Sequence, residues 1–463
     1  MQKKLLFKII TFSLIGLAYC SASAQCFQGI SAGYNHNIVV MTNNTIWTWG
    51  NNTSGNLGDD TKIAKKLPVQ VGNDANWSSI TCGWYNTLAI KTDGTLWGWG
   101  ENYLGQLGDG TNISKSTPTQ VTTATNWSKV STCYRFTLAL KTDGTLWAWG
   151  HNYEGQLGNG SRDDEKVPTR IGSANDWLKI SAGYESSFAI KTDGTLWAWG
   201  NNSYGQLGDK TNTFKKTPTK IGLDTDWNVV EAGNYHTLAI KTNGTLWTWG
   251  SNEYGQLGNG TSTLGTNRPT QVGTGTNWSK ISGGWSHTLG IKADGTLWAW
   301  GRNTKGELGD GTNSDRNFPV QIGTASDWTE INAGTYYSMA RKSDGTLWAW
   351  GLNTSGQLGD GTLVNKNTPT AVNCPATLSV PTYTSKNDST IRIYPNPTHD
   401  YVTVDSEHTI LQIIVSESNG KQIKTESENN TKATLKLEGL PAGVYFVKII
   451  TEFGSDTQKI IKD

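Results

Sequence analysis

The chain has 463 residues, of which 54 are Gly, 22 are Trp and only 3 are Met. Its 39 basic and 38 acidic side chains leave a formal charge of +1, which argues against a nucleic-acid binder, since such proteins carry a basic surplus or a basic run. The length suits several ordinary domains, or one large repeat domain with a smaller companion, and the Gly and Trp excess points to a turn-rich, all-β chain.

Residues 1–24 read as a secretory signal. Lys3, Lys4 and Lys8 give a basic start, residues 9–19 are apolar, and Ala22, Ser23 and Ala24 supply small residues before a cut between Ala24 and Gln25. The apolar stretch is too short to span a bilayer; an uncleaved anchor is the alternative. No later segment has 18 apolar residues in a row, so no transmembrane segment is expected in the mature chain.

Residues 25–374 repeat one unit seven times. Trp-x-Trp-Gly ends at Gly50, Gly100, Gly150, Gly200, Gly250, Gly301 and Gly351, a period of 50 residues with a single 51. Each unit reads as four short strands. In the fourth unit these are 177–182, 187–191 and the alternating 195–199, then a strand following a Pro such as Pro168 or Pro218, as suits a sheet edge. Asp193-Gly194 between the second and third strands is a hairpin signal. A four-stranded meander cannot bury both faces alone, whereas a closed ring of seven does, so a seven-bladed β-propeller is expected, with an open β-solenoid as the alternative. Twenty of the 22 Trp then pack between blades, and only Trp84 and Trp285 fall outside that framework.

Four Cys follow the signal. Cys26 precedes the first strand and Cys374 follows the last, about three positions apart in repeat register, so a disulfide closing the ring is expected. Cys82 and Cys133 sit one position out of register in adjacent units and read equally as a pair or as two buried thiols.

Ala-Gly-x-x-His-Thr-Leu-Ala-Ile, Asp-Gly-Thr-Leu-Trp-x-Trp-Gly and Asn-x-x-Gly-Gln-Leu-Gly together resemble the repeat of the regulator of chromosome condensation family, most cleanly at 233–240 and 244–258. The resemblance covers about three quarters of the chain and implies a seven-bladed propeller. Cys133 replaces the usual Gly, and the His appears only as His36, His236 and His287.

After a polar linker at 375–388, residues 389–463 carry short alternating strands around 391–394, 401–404, 411–415 and 435–437, with turn signals between them. They predict a small immunoglobulin-like β-sandwich. Tyr-Pro-Asn-Pro, Gly-Leu-Pro-Ala-Gly-Val-Tyr and the terminal Lys-Ile-Ile-Lys resemble the type A C-terminal sorting domain of the type IX (Por) secretion system. That resemblance implies a Bacteroidota-type bacterium, a partnership with the type IX machinery, and release or surface attachment. An ordinary adhesive sandwich is the alternative.

Antiparallel connectivity puts the first-to-second and third-to-fourth loops on one face. The former carry Tyr34, Trp84, Tyr85, Tyr134, Phe136, Tyr184, Tyr235, Trp285, Tyr336 and Tyr337; the latter add Tyr103, Tyr153, Tyr204 and Tyr254. Tyr and Trp offer large contact area with few rotatable bonds, so this face is the candidate site for a protein or glycan ligand. The competing reading is that the rings merely cap the blade cores. The opposite face carries Lys91, Lys141, Lys191, Lys241, Lys292 and Lys342, read as a solvated rim. Gly-Asp-Gly-Thr at 108–111, 309–312 and 359–362 resembles part of a calcium loop but lacks its run of oxygen ligands and reads as a turn.

The expected function is a monomeric, secreted or surface-exposed binding protein with no catalytic residues, metal or cofactor. One alternative is a carbohydrate-active enzyme using two of Glu101, Glu154, Glu185 and Glu253. Another is guanine-nucleotide exchange, the activity of the family's founding member, which export signals and the lack of a basic region oppose.

Overall fold

The computed structural model describes residues 26–263, 265–374, 391–417, 422–451 and 454–463. The expected signal with its Ala24/Gln25 cut, and the expected linker, lie outside them. The chain divides into two compact units, 1–375 and 376–463.

The first unit holds seven four-stranded antiparallel sheets, each a consecutive meander. In the fourth blade the strands are Trp177–Ala182, Ser186–Lys191, Leu196–Gly200 and Lys215–Lys220. Pro218 lies inside its strand instead of before it. That strand is outermost, so the missing N–H faces away from any partner, and the pairing skips between Gly200–Lys215 and Ala198–Thr219. Inner strands touch their counterparts in both neighbouring blades around the whole circle, including Phe27–Ala32 against Trp328–Ala333. The ring is therefore closed.

One interaction recurs at every blade junction. The second Trp of each Trp-x-Trp-Gly is fully buried, and its Nε1 donates to a carbonyl of the preceding blade: Trp149 to Gln106 at 3.0 Å, Trp199 to Gln156 at 2.8 Å. The last Gly of Asn-x-x-Gly-Gln-Leu-Gly makes room for that indole. A Cβ on Gly108 would lie 2.7 Å from Trp149 Nε1. At the inner strands, Cys82 N donates to Ser31 Oγ, Ala182 N to Ser131 Oγ, and Ala32 N to Asn332 Oδ1 across the closure. Cys26 and Cys374 are disulfide-bonded with Cα atoms 6.0 Å apart. Cys82 and Cys133 are free thiols.

The Lys face differs from the solvated rim expected. Lys91 Nζ sits 4.8 Å and 4.1 Å from the rings of Trp77 and Trp97 and bonds Asp74 Oδ2 at 2.6 Å. Lys191, Lys241 and Lys342 repeat this with their own Trp pairs and with Asp176, Asp224 and Asp327. These cations are clamped over indoles, so they tie the inner strand to the third. The Gly-Asp-Gly-Thr segments are turns. Asp109 Oδ1 accepts from Thr111 N, Thr111 Oγ1 and Asn102 Nδ2 at 2.8–2.9 Å.

Among the described residues, the second unit forms one five-stranded sheet. Tyr401–Glu417 runs as one strand where two were expected. It pairs with Ile391–Tyr394 and Gln422–Lys436, and through its second half with Gly443–Thr451, which pairs Gly454–Lys462. A register shift between Ile410 and Gln412 moves the buried side chains from even positions (Val402, Val404, Ile410) to odd ones (Ile413, Val415). That bulge hid the continuity of the strand from its alternation pattern.

Candidate functional site

The site begins with the turn after each inner strand. Gly33 N donates to His36 O at 2.8 Å, and the turn recurs at Gly83, Gly183, Gly233, Gly284 and Gly334. The residue three after the Gly points back into the blade junction. His36 Nε2 pairs with Thr87 Oγ1, His236 with Thr288, and His287 with Ser338, all at 3.0–3.2 Å. Tyr337 and Phe136 occupy this same position and are fully buried, so neither belongs to the exposed loop set in which the sequence placed them. Burial pushes all three His down to a pKa of about 3, so they are neutral framework groups. A Cβ on Gly233 would meet His236 Cε1 at 2.2 Å, which explains the Gly. The residue after the Gly is then turned toward the ring axis, and its N–H is tied to the next blade: Trp84 N donates to Cys133 O, Asn234 N to Gly284 O.

The axial residues meet. Trp84 lies 4.8 Å from Tyr34, 4.5 Å from Tyr134, 5.1 Å from Tyr184 and 5.5 Å from Trp285, centroid to centroid. Tyr134 and Tyr184 stack at 4.2 Å. Tyr85 joins through Tyr34, Tyr235 through Tyr184, and Tyr336 through Trp285. Every blade thus contributes to one half-buried cluster over the channel mouth. The rings converge across the ring axis, with Trp84 of the second blade against Trp285 of the sixth.

The third-to-fourth loops divide. Tyr204 packs on Tyr235 at 4.8 Å, and Tyr254 reaches the cluster through Arg302, whose guanidinium also lies 4.6 Å from Tyr336. Tyr103 and Tyr153 are 65% and 61% exposed, and Tyr153 stacks under Arg162 instead. Glu101 is held by Arg135 at 3.1 Å, with Arg135 over Tyr134. Burial and the charge of Glu154 both raise the pKa of Glu185, which accepts from Asn201 Nδ2 at 3.2 Å. Burial raises that of Tyr235 to about 12.

Two residues of the mouth escaped the sequence reading, Asn234 and Thr335. They occupy the axial position that carries a ring in the other five blades, and both are buried. Their signal was the break in the aromatic register.

Seven consecutive meanders closed by Trp-to-carbonyl bonds and one disulfide, with an aromatic loop face, define a seven-bladed repeat propeller. The chain belongs to the family of the regulator of chromosome condensation (RCC1) repeat. The RCC1-like domain matches residues 16–230, and RCC1 repeats match 243–291, 294–341 and 344–380. Residues 392–463 match the secretion system C-terminal sorting domain, which directs export through the type IX secretion system to the cell surface or the medium. The fold is that of human WBSCR16 (TM-score 0.65, 24% identity, 72% of this chain and 94% of that one). It is also that of yeast RCC1 (Prp20) in a structure with Kap60 (TM-score 0.65, 20% identity, 85% and 92%). The ultraviolet-B receptor UVR8 of Arabidopsis thaliana is 50% identical over 38 residues, which span 8% of this chain and 9% of the receptor.

Proposed function

We propose that the propeller is a non-enzymatic binding protein that engages a protein or glycan outside the cell through its aromatic mouth. The observation that carries this reading is the convergence of Tyr34, Trp84, Tyr134, Tyr184, Tyr235, Trp285 and Tyr336 from seven blades onto one half-exposed surface. Contiguous rings left partly in water mark an interaction surface more than a core. The sorting domain supports a partner met beyond the outer membrane, which speaks against nucleotide exchange on an intracellular GTPase.

One observation favours a second reading, a carbohydrate-active enzyme. Glu154 and Glu185 come from adjacent blades, and the charge of Glu154 helps raise the pKa of Glu185. Glu185→Gln abolishing hydrolysis of any polysaccharide would support it over binding alone.

The test is a pull-down with the full chain against culture medium, surface glycans and membrane extracts. The control carries Tyr34, Trp84, Tyr134, Tyr184 and Trp285 changed to Ala, with its melting transition checked. A partner held by the native chain and lost by the folded control supports the mouth. A partner held equally by both moves the site elsewhere.

A further inference from the structure

The aromatic mouth is not uniform around the ring. Five of its seven axial positions carry rings, while the fifth and seventh blades present Asn234 and Thr335, only 5% and 6% exposed. Behind the rings lies a cavity of about 60 Å³, lined from every blade but the fourth. A water needs roughly 10–15 Å³ of such space, so the cavity has room for a few waters or one small ligand group.

The chemistry of this cavity is specific. Its lining contains no charged side chain. Burying a carboxylate or ammonium there would go uncompensated, so the complementary group is neutral. Ala32, Ala232, Ala333 and Cys82 give it apolar walls. One polar atom stands out. Asn234 lines the cavity, and its Nδ2 is buried with no hydrogen-bond partner among the described residues. An orphaned buried donor is costly, and five of the other blades carry an aromatic ring at this position, so the fold does not require the amide. Trp84, Trp285 and Tyr34 line the same cavity from the mouth side.

We propose that the cavity receives the acetamido group of an N-acetylated amino sugar. Asn234 Nδ2 donates to the acetamido oxygen, the methyl group meets the alanine walls, and the pyranose ring lies against the faces of Trp84 and Trp285. A terminal group with one acceptor and one methyl matches a small neutral cavity with one free donor. A passing peptide backbone does not, because its chain continues on both sides of each carbonyl. This inference rests on the binding role proposed for the mouth and names the ligand class.

The test is calorimetric titration of the full chain with oligomers of N-acetylglucosamine and N-acetylgalactosamine. Matched glucosamine and glucose oligomers and an acetyl-lysine peptide serve as comparisons. The expected result is at least tenfold tighter binding of an N-acetylated oligomer than of its matched partners. Asn234→Asp, which replaces the donor with an acceptor, should erase most of that preference. The preference itself is read on the native chain, so it does not depend on how the variant folds. Equal binding of acetylated and unacetylated sugars overturns the cavity assignment and leaves the mouth standing as a binding surface. So does an acetyl preference unchanged in folded Asn234→Asp. Binding of the acetyl-lysine peptide without any sugar overturns the sugar class. No binding of any probe, alongside a pull-down partner lost from the five-ring control, overturns the acetamido assignment alone; loss of both results removes the mouth reading as well.

Discussion

Trp49 Nε1 donates to the main-chain carbonyl of Gln357 at 3.0 Å, joining residues 308 apart in sequence. This is the same bond that Trp99 makes to Asn56 and Trp350 to Glu307. The closure between the seventh and first blades therefore uses the ordinary junction, with Tyr337 OH donating to His36 O and Asn37 Oδ1 as an addition.

Trp49→Ala is expected to destabilise the propeller by about 3–5 kcal/mol, the usual cost of deleting a buried indole. Trp49→Phe should cost less. The Gln357 carbonyl keeps a second donor in Asn37 Nδ2 at 2.7 Å, so it is not left unpaired. Urea unfolding of the two variants gives the order.

The Cys26–Cys374 bridge spans 348 residues of chain, so its loss frees a large loop in the unfolded state. Chain-entropy reasoning sets its contribution at about 6 kcal/mol at most, with measured values usually lower. Cys26→Ser should lower the melting temperature, and a reductant should lower that of the native protein but not of the variant.

Two glycines with positive φ separate backbone strain from collision. Gly172 has φ 65° and open space where a Cβ would go, whereas Gly108 has φ 81° and Trp149 Nε1 at 2.7 Å. Gly172→Ala should cost about 1–2 kcal/mol for the left-handed backbone alone. Gly108→Ala should cost clearly more, because the indole has to move out of its junction. Thermal melts of the pair test this.

His236 is held at a pKa of about 3 by burial, against 6.5 when free. The unfolded chain binds the proton first. The stabilisation is complete above about pH 6.5 and is lost as pH falls toward 3, by about 1.4 kcal/mol per pH unit. His236→Asn, which copies Asn86 of the second blade, should flatten that acid slope. Glu231 behaves oppositely. Burial raises it to about 7 from 4.5, so stability present below about 4.5 is lost as pH rises to 7. Glu231→Gln should therefore raise the urea midpoint at pH 8 and leave it unchanged at pH 4.

The sequence carried the architecture because every blade repeats the same short-range instructions. The 50-residue period marked the seven meanders. Asp193-Gly194 marked the hairpin, and the register of Cys26 and Cys374 marked where the ring meets itself. Where the rules were less local, the reading slipped. Lys91 looked solvated because its partner Asp74 lies in the link before its own blade's inner strand, and its indole neighbours come from two different strands. Tyr337 and Phe136 looked like loop rings because one residue of turn geometry decides whether a side chain faces the axis or the junction.

What the sequence determined by itself was the unit, its count and its closure, since these follow from strand alternation, turn chemistry and repeat spacing within each segment. The tertiary structure alone decided that Trp84 and Trp285, 201 residues apart, would meet at 5.5 Å over the channel, and that Asn234 would face a cavity with its Nδ2 unpaired. Those relationships depend on the radius at which seven blades close and on the direction in which each turn throws its side chain across the axis. Neither quantity is written in any one repeat.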